Sequence, residues 1–200
     1  MSEQLTPIGK ANDHYLQMYC NESYHHKSIS AESLSAYQRL QMKHDEIYHH
    51  EIFVLGVSQR MNHVVLHLIK YLGVLFSLPV SSLENRRAFI DSFIMIVSAS
   101  NLLGISLARN LSTEEVTSPD GIFINEYIQL LAKLAKACEA TDHQEDYPIR
   151  ATWNKNIQDF FSLLVREAIS RDISILKEAS HRLTSVEMNH PIATVLQGEE

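Results

Sequence analysis

His63, His67 and Lys70 recur at i, i+4 and i+7 inside the otherwise apolar stretch 61–76, a spacing that puts all three on one helical face. A second apolar run, 89–107, carries Asp91, Ser98 and Asn101 at intervals of seven and three, again roughly on one face. Two greasy helices thus each bring polar groups inward. An unpaired buried charge is costly, so Lys70 and Asp91 must face a partner, a ligand or water. The His63/His67 pair at i, i+4 is also a well-spaced unit for a transition metal. The plain alternative is structural, a buried Lys70–Asp91 ion pair with hydrogen-bonded histidines that fixes helix register.

Two further clusters could contribute. In 44–51, His44, Tyr48 and Glu51 share one helical face, and Asp45 and His49 the neighbouring one. Turned toward the seam they would complete a metal set of His44, His49, His63, His67 and Asp91; turned outward they form the solvated side of an amphipathic helix. Glu139, Asp142, His143, Glu145 and Asp146 form either a loop that closes over the seam or a solvated helix end. Nucleophilic chemistry has little support. Neither Cys20 nor Cys138 has a local activating histidine, Ser98 lacks a G-x-S-x-G elbow, and there is no Walker A or GxGxxG pattern.

The elements that position these groups are predicted to be helices throughout, since six glycines and five prolines punctuate 200 residues and period-2 alternation is nearly absent. An arm over 1–28 precedes a helix over 31–54, with Ser30 as N-cap and a break at Gly56 or Ser58. The next helix, 59–77, is apolar nearly all round, which predicts a central position, and Pro79 stops it. Ser81 to Glu84 fits the capping-box pattern and starts a helix from Ser82 to about Ala108. A loop over 112–120 turns at Ser118-Pro119-Asp120-Gly121, and helices follow over 122–140, from Pro148, and over 172–186. Short helix connections make antiparallel neighbours, which sets Lys70 near Asp91 and His63 near Ser98 or Asn101. The expected organisation is one domain with a helical core over 29–147, an added C-terminal helical pair over 148–187 and a tail over 188–200.

Composition narrows the function classes. The 17 Lys and Arg against 24 Asp and Glu give a net charge of −7, and the longest basic run is Arg86-Arg87, so a nucleic-acid footprint is not supported. The apolar runs are interrupted by His67, Lys70, Asp91 and Asn101, short of a membrane span, and 1–10 lacks the apolar core of a secretory signal. Two distant cysteines without CxxC spacing fit a reducing cytoplasm.

The sequence "HLIKYLGVL", a short linker and "AFIDSFIMIVSASNLLGISL" together resemble the MazG-type all-α nucleotide pyrophosphohydrolases over about residues 60–108. That family carries EExxE on one helix and ExxD on the next, and its second helix often ends like Leu103-Gly104-Ile105. Aligned on Gly73, the resemblance puts Lys70, Tyr71 and Val74 where three magnesium-binding glutamates would stand; aligned on Asp91, it puts Ala88 at the glutamate of ExxD. One acidic ligand of five remains, and a lysine among them repels magnesium. The resemblance therefore implies a MazG-like homo-oligomer that has lost metal-dependent hydrolysis. Its Lys70 replaces the metal's charge, and His63, His67, Lys70, Tyr71, Asp91, Ser98 and Asn101 hold a nucleotide or related phosphate compound. An enzyme with a His/carboxylate site and a noncatalytic adaptor are the other two readings. Trp153, Phe160 and Phe161 are the expected subunit contacts.

Overall fold

A computed structural model describes residues 29–111 and 122–189. The expected arm over 1–28, the turn at 118–121 and the tail beyond 189 lie outside the described residues, as does Cys20. All the regular structure among the described residues is helical: α1 (Ala31–Tyr48), α2 (His50–Phe53), α3 (Val57–Ser77), α4 (Leu83–Leu103), a 3-10 turn (Leu107–Asn110), α5 (Ile122–Asp142), α6 (Ile149–Ser170) and α7 (Ile175–Asn189). The protein is an all-α bundle. No helix among the described residues is long and apolar enough to cross a membrane.

Local signals account for most of the boundaries. The Ser30 hydroxyl accepts from the Ser33 N–H at 3.1 Å and opens α1, and Ser82 does the same for Asn85 at 3.1 Å to open α4. The helix expected to continue to residue 54 breaks instead at His49, whose φ, ψ of −133°, 38° leave the helical region, and one separate turn, α2, follows. The helix expected to reach residue 108 ends at Leu103. Gly104 adopts φ 69°, and the Ile105 N–H returns to the Ser100 carbonyl at 2.8 Å, a left-handed C-terminal cap that glycine adopts at least cost.

The central helix is α4, not α3 as the all-round apolarity of 59–77 suggests: α4 packs against α1, α3, α6 and α7. Its Phe89, Phe93, Ile96, Val97 and Ala99 are buried. By contrast, α3 leaves Leu66, Ile69 and Phe76 at 65%, 49% and 75% exposure. Hydropathy alone does not reveal how many faces of a helix find neighbours. The aromatic stripe of α6 is likewise corrected. Trp153, Phe160 and Phe161 are at most 5% exposed and pack inside the chain, Phe160 edge-on to Tyr127 and Phe161 beside Phe93, so they are core and not subunit contacts.

Several polar groups inside this core tie elements together. The Tyr127 hydroxyl of α5 donates to the Leu68 carbonyl of α3 at 3.1 Å and meets the Ser92 hydroxyl of α4 at 3.0 Å, while burial pushes its pKa upward. Asn85 is fully buried; its amide nitrogen donates to the Leu75 and Leu78 carbonyls at the end of α3, and its oxygen accepts from Arg171. Arg171 in turn lies over the Phe89 and Phe123 rings and pairs with Glu167 at 2.7 Å. Asn85→Ala strands the two carbonyls, with an expected loss of about 3 kcal/mol in urea unfolding. Arg86→Ala, which removes an exposed pair with Glu178, should cost less than about 1 kcal/mol in the same measurement.

Candidate functional site

A cavity of about 610 Å³ opens between α1, α2, α3, α4 and α7. That volume lies within the range of small-molecule sites, roughly 300–1,000 Å³. Its floor is buried and polar. Gln41 is 1% exposed, His44 2% and Asp45 8%. The Asp45 carboxylate accepts from the Gln41 amide at 2.7 Å and from the Ser98 hydroxyl at 2.6 Å. His44, beside it, has a hydrogen-bond partner on neither ring nitrogen, although its Nδ1 lies 3.9 Å from the Asp45 carboxylate. A neutral imidazole carries one donor and one acceptor, and burying either unmet costs on the order of 1–3 kcal/mol. His44 is the one floor group that still needs a partner.

The α3 wall carries His63, His67, Lys70 and Tyr71, all on the cavity as their spacing predicts. The His63 and His67 rings stack with centroids 4.4 Å apart. His67 Nδ1 lies 3.0 Å from the Tyr71 hydroxyl and 3.4 Å from Lys70 Nζ. An ammonium can only donate, so Nδ1 accepts and the proton of the neutral ring sits on Nε2. Burial, then the Lys70 charge, then His63 push the His67 pKa down to about 4. His63 is lowered as well, by burial first and then by His49 and Lys70. Both rings are therefore neutral at pH 7.

The α4 wall departs from expectation at its charged residue. Asp91 does not pair with Lys70; its carboxylate is held by Arg182 of α7 at 2.8 Å, with Arg87 at 3.9 Å. Lys70 is exposed and lies over the Tyr71 ring at 4.7 Å; among the described residues it has no carboxylate partner. The reason is reach. A guanidinium from α7 can chelate the inward-facing Asp91, whereas the Lys70 stem leads to the rim and to solvent. Asn101 also leaves the seam. Its amide donates to the Gln38 carbonyl at 2.9 Å, and the Gln38 side chain spans Ser100, Asn101 and Ile105, which fastens α1 to the end of α4.

The segment 44–51 splits between the two expectations. His44, Asp45 and Tyr48 turn inward, whereas His49 and His50 are exposed. The break at His49 lets α2 lay Glu51, Ile52 and Phe53 along the cavity. The acidic cluster after α5 does not line it. There Lys136 pairs with Glu139 at 3.3 Å and with Glu145 at 2.9 Å. Glu139, His143 and Glu145 are the one trio among the described residues whose ligand atoms lie within 4.8 Å of one another. His44, His49, His63, His67 and Asp91 share the cavity without such convergence.

Sequence reasoning missed Gln41, Arg60, Arg87 and Arg182. The first could have been found as an i, i+4 partner of Asp45, and Arg87 as one of Asp91. Arg60 and Arg182 carry no local signal. Arg60 sits over the Phe53 ring of α2 and is lowered in pKa by burial, against the pull of Asp45. No family model matches this chain, and neither does any curated protein or solved structure.

Two measurements test this electrostatic arrangement. The folded pKa of His67 lies below the ordinary 6.5, so its neutral form stabilises the fold above pH 6.5, and that contribution is lost as pH falls from 6.5 toward 4. The melting temperature should fall over that window, and Lys70→Met should raise the His67 midpoint read by NMR of its ring protons. Arg182→Met should cost about 1–3 kcal/mol in chemical unfolding because it uncovers Asp91, while Lys70→Met leaves stability nearly unchanged. Equal costs would restore the Lys70–Asp91 pairing.

Proposed function

We propose that this protein binds a phosphate-bearing small molecule, a nucleotide or related compound, in the α3–α4 cavity, on a MazG-like core that no longer uses magnesium. One observation carries the reading. Lys70, Tyr71 and Val74 on α3 and Ala88 and Asp91 on α4, the five positions where the MazG resemblance places metal-binding acids, all line the same cavity. Those residues do not fit a magnesium site. Magnesium needs several hard oxygen ligands, and the one carboxylate among the five is already engaged by Arg182. Positive charge at that spot instead comes from Lys70, Arg87 and Arg182. Lys70, without a carboxylate of its own, is the cation free to take a phosphate oxygen, and His67 stays neutral beside it. The unmet nitrogens of His44 at the floor provide hydrogen bonds for the other end of the same ligand.

A transition metal on His44, His49, His63, His67 and Asp91 is a second reading, favoured by the orphaned ring of His44 and the neutral state of His63 and His67. Isothermal titration separates the two. With chelator present, pyrophosphate or a nucleoside triphosphate should bind, Lys70→Met should weaken that binding about tenfold or more, and added magnesium should not strengthen it. Binding of Zn, Ni or Fe(II), lost in His44→Phe, would select the metal. Silence toward both would leave a protein whose polar seam serves packing alone.

A further inference from the structure

Little anchors α2 to the rest of the molecule. None of its residues is buried, and its one substantial neighbour among the described residues is α1, to which it is joined. Its backbone bonds are local: the Ile52 and Phe53 N–H groups donate to the His49 carbonyl at 3.0 and 2.9 Å, and the Val54 N–H donates to the His50 carbonyl at 3.1 Å. Ile52 and Phe53 are half-buried against the cavity, apart from the side chains packed on the core. The tie across to α3 is Arg60, whose guanidinium lies 4.9 Å from the Phe53 ring centroid and donates to the Phe53 carbonyl over a long 3.4 Å. A segment held by so few buried contacts opens at low cost.

Both ends of this segment are built to turn. At one end His49 has already left the helical region; at the other, Gly56 adopts φ −63°, ψ 158°, a backbone open to any residue. A Cβ added at Gly56 would meet only the Gln59 side chain, at an ordinary 3.6 Å. The observed conformation therefore does not call for glycine, and what glycine adds is freedom to leave it. At this end of the cavity lies His44, its ring 5.7 Å from that of His49 and both its nitrogens unpartnered and shut off from solvent. Two terms thus oppose each other. The observed position keeps Ile52 and Phe53 partly dry but leaves His44 unsatisfied, whereas lifting α2 exposes the two side chains and lets water reach the ring.

We infer that α2 is a lid over the His44 end of the cavity, hinged at His49 and Gly56 and latched by Arg60 on Phe53. Open, it admits solvent or a ligand to the floor; closed, it lays Ile52 and Phe53 over whatever His44 holds. As a fixed wall, α2 would leave the ring permanently without a partner. A ligand that meets His44 supplies the missing hydrogen bonds with the lid down, so it binds the closed state better and draws α2 shut. Closure of this kind sequesters a bound molecule from water. The inference rests on how the cavity is built and not on the phosphate compound proposed to fill it.

Diethylpyrocarbonate modification of the full chain at neutral pH, without ligand and resolved residue by residue in peptide mass spectrometry, tests it. His44 should react about tenfold or more slowly than the exposed His143, yet faster than global unfolding allows. Phe53→Ala, which leaves the Arg60 charge beside Asp45 in place, should speed the reaction of His44 about fivefold. Gly56→Ala should slow it about two- to fivefold. Amide exchange over 50–57 should move in the same two directions while that of α3 stays unchanged. A His44 rate that rises with urea as steeply as global unfolding, and ignores both substitutions except as they alter global stability, makes α2 a fixed wall and overturns the proposal. A wild-type His44 as reactive as His143 means an open floor with nothing to gate, and overturns it too.

Discussion

The carbonyls at the C-terminal end of α3 cannot be satisfied within α3, and Asn85 at the start of α4 satisfies two of them. This contact sets how the α3–α4 hairpin closes. It holds the end of one helix against the beginning of the next and makes their facing sides one surface. Every other feature of the cavity presupposes that surface. Arg171 extends the tie to α6, since it bonds the Asn85 oxygen and covers the Phe89 and Phe123 rings. A buried amide with both donors and its oxygen engaged is thus the joint between the core and the site.

Within the hairpin, charge is divided by depth. At the floor, the Asp45 carboxylate is held by neutral donors, the Gln41 amide and the Ser98 hydroxyl. On the wall, Asp91 is neutralised by an arginine from the far end of the chain. At the rim, Lys70 retains an uncompensated charge and keeps the adjacent imidazole neutral. Charge thus runs from satisfied carboxylates inside to an exposed cation at the mouth.

The two faces of α3 have separate logics. One lines the cavity with His63, His67 and Tyr71; another, about a third of a turn away, presents Leu66, Ile69, Gly73 and Phe76 to the outside. A helix flanked in this way reads from sequence as apolar on all sides. This is why periodicity placed it at the centre of the bundle, when α4 is the helix that neighbours cover most completely.

The sequence by itself determined the all-helical class, most helix starts and the wall of the site. Ser30 and Ser82 are caps whose chemistry is local, and the i, i+4, i+7 spacing of His63, His67 and Lys70 is a property of one helix. Tertiary structure decided the rest, because it depends on contacts that sequence separation conceals. Arg182, ninety-one residues from Asp91, takes the place expected for Lys70. Gln38 draws Asn101 out of the seam, the break at His49 lets α2 line the cavity, and the α6 aromatics find Phe93 and Tyr127 rather than a second subunit. Spacing along a helix says which residues share a face. Only the packed fold says what that face meets, because the partner is chosen by reach and burial among groups far apart in the chain.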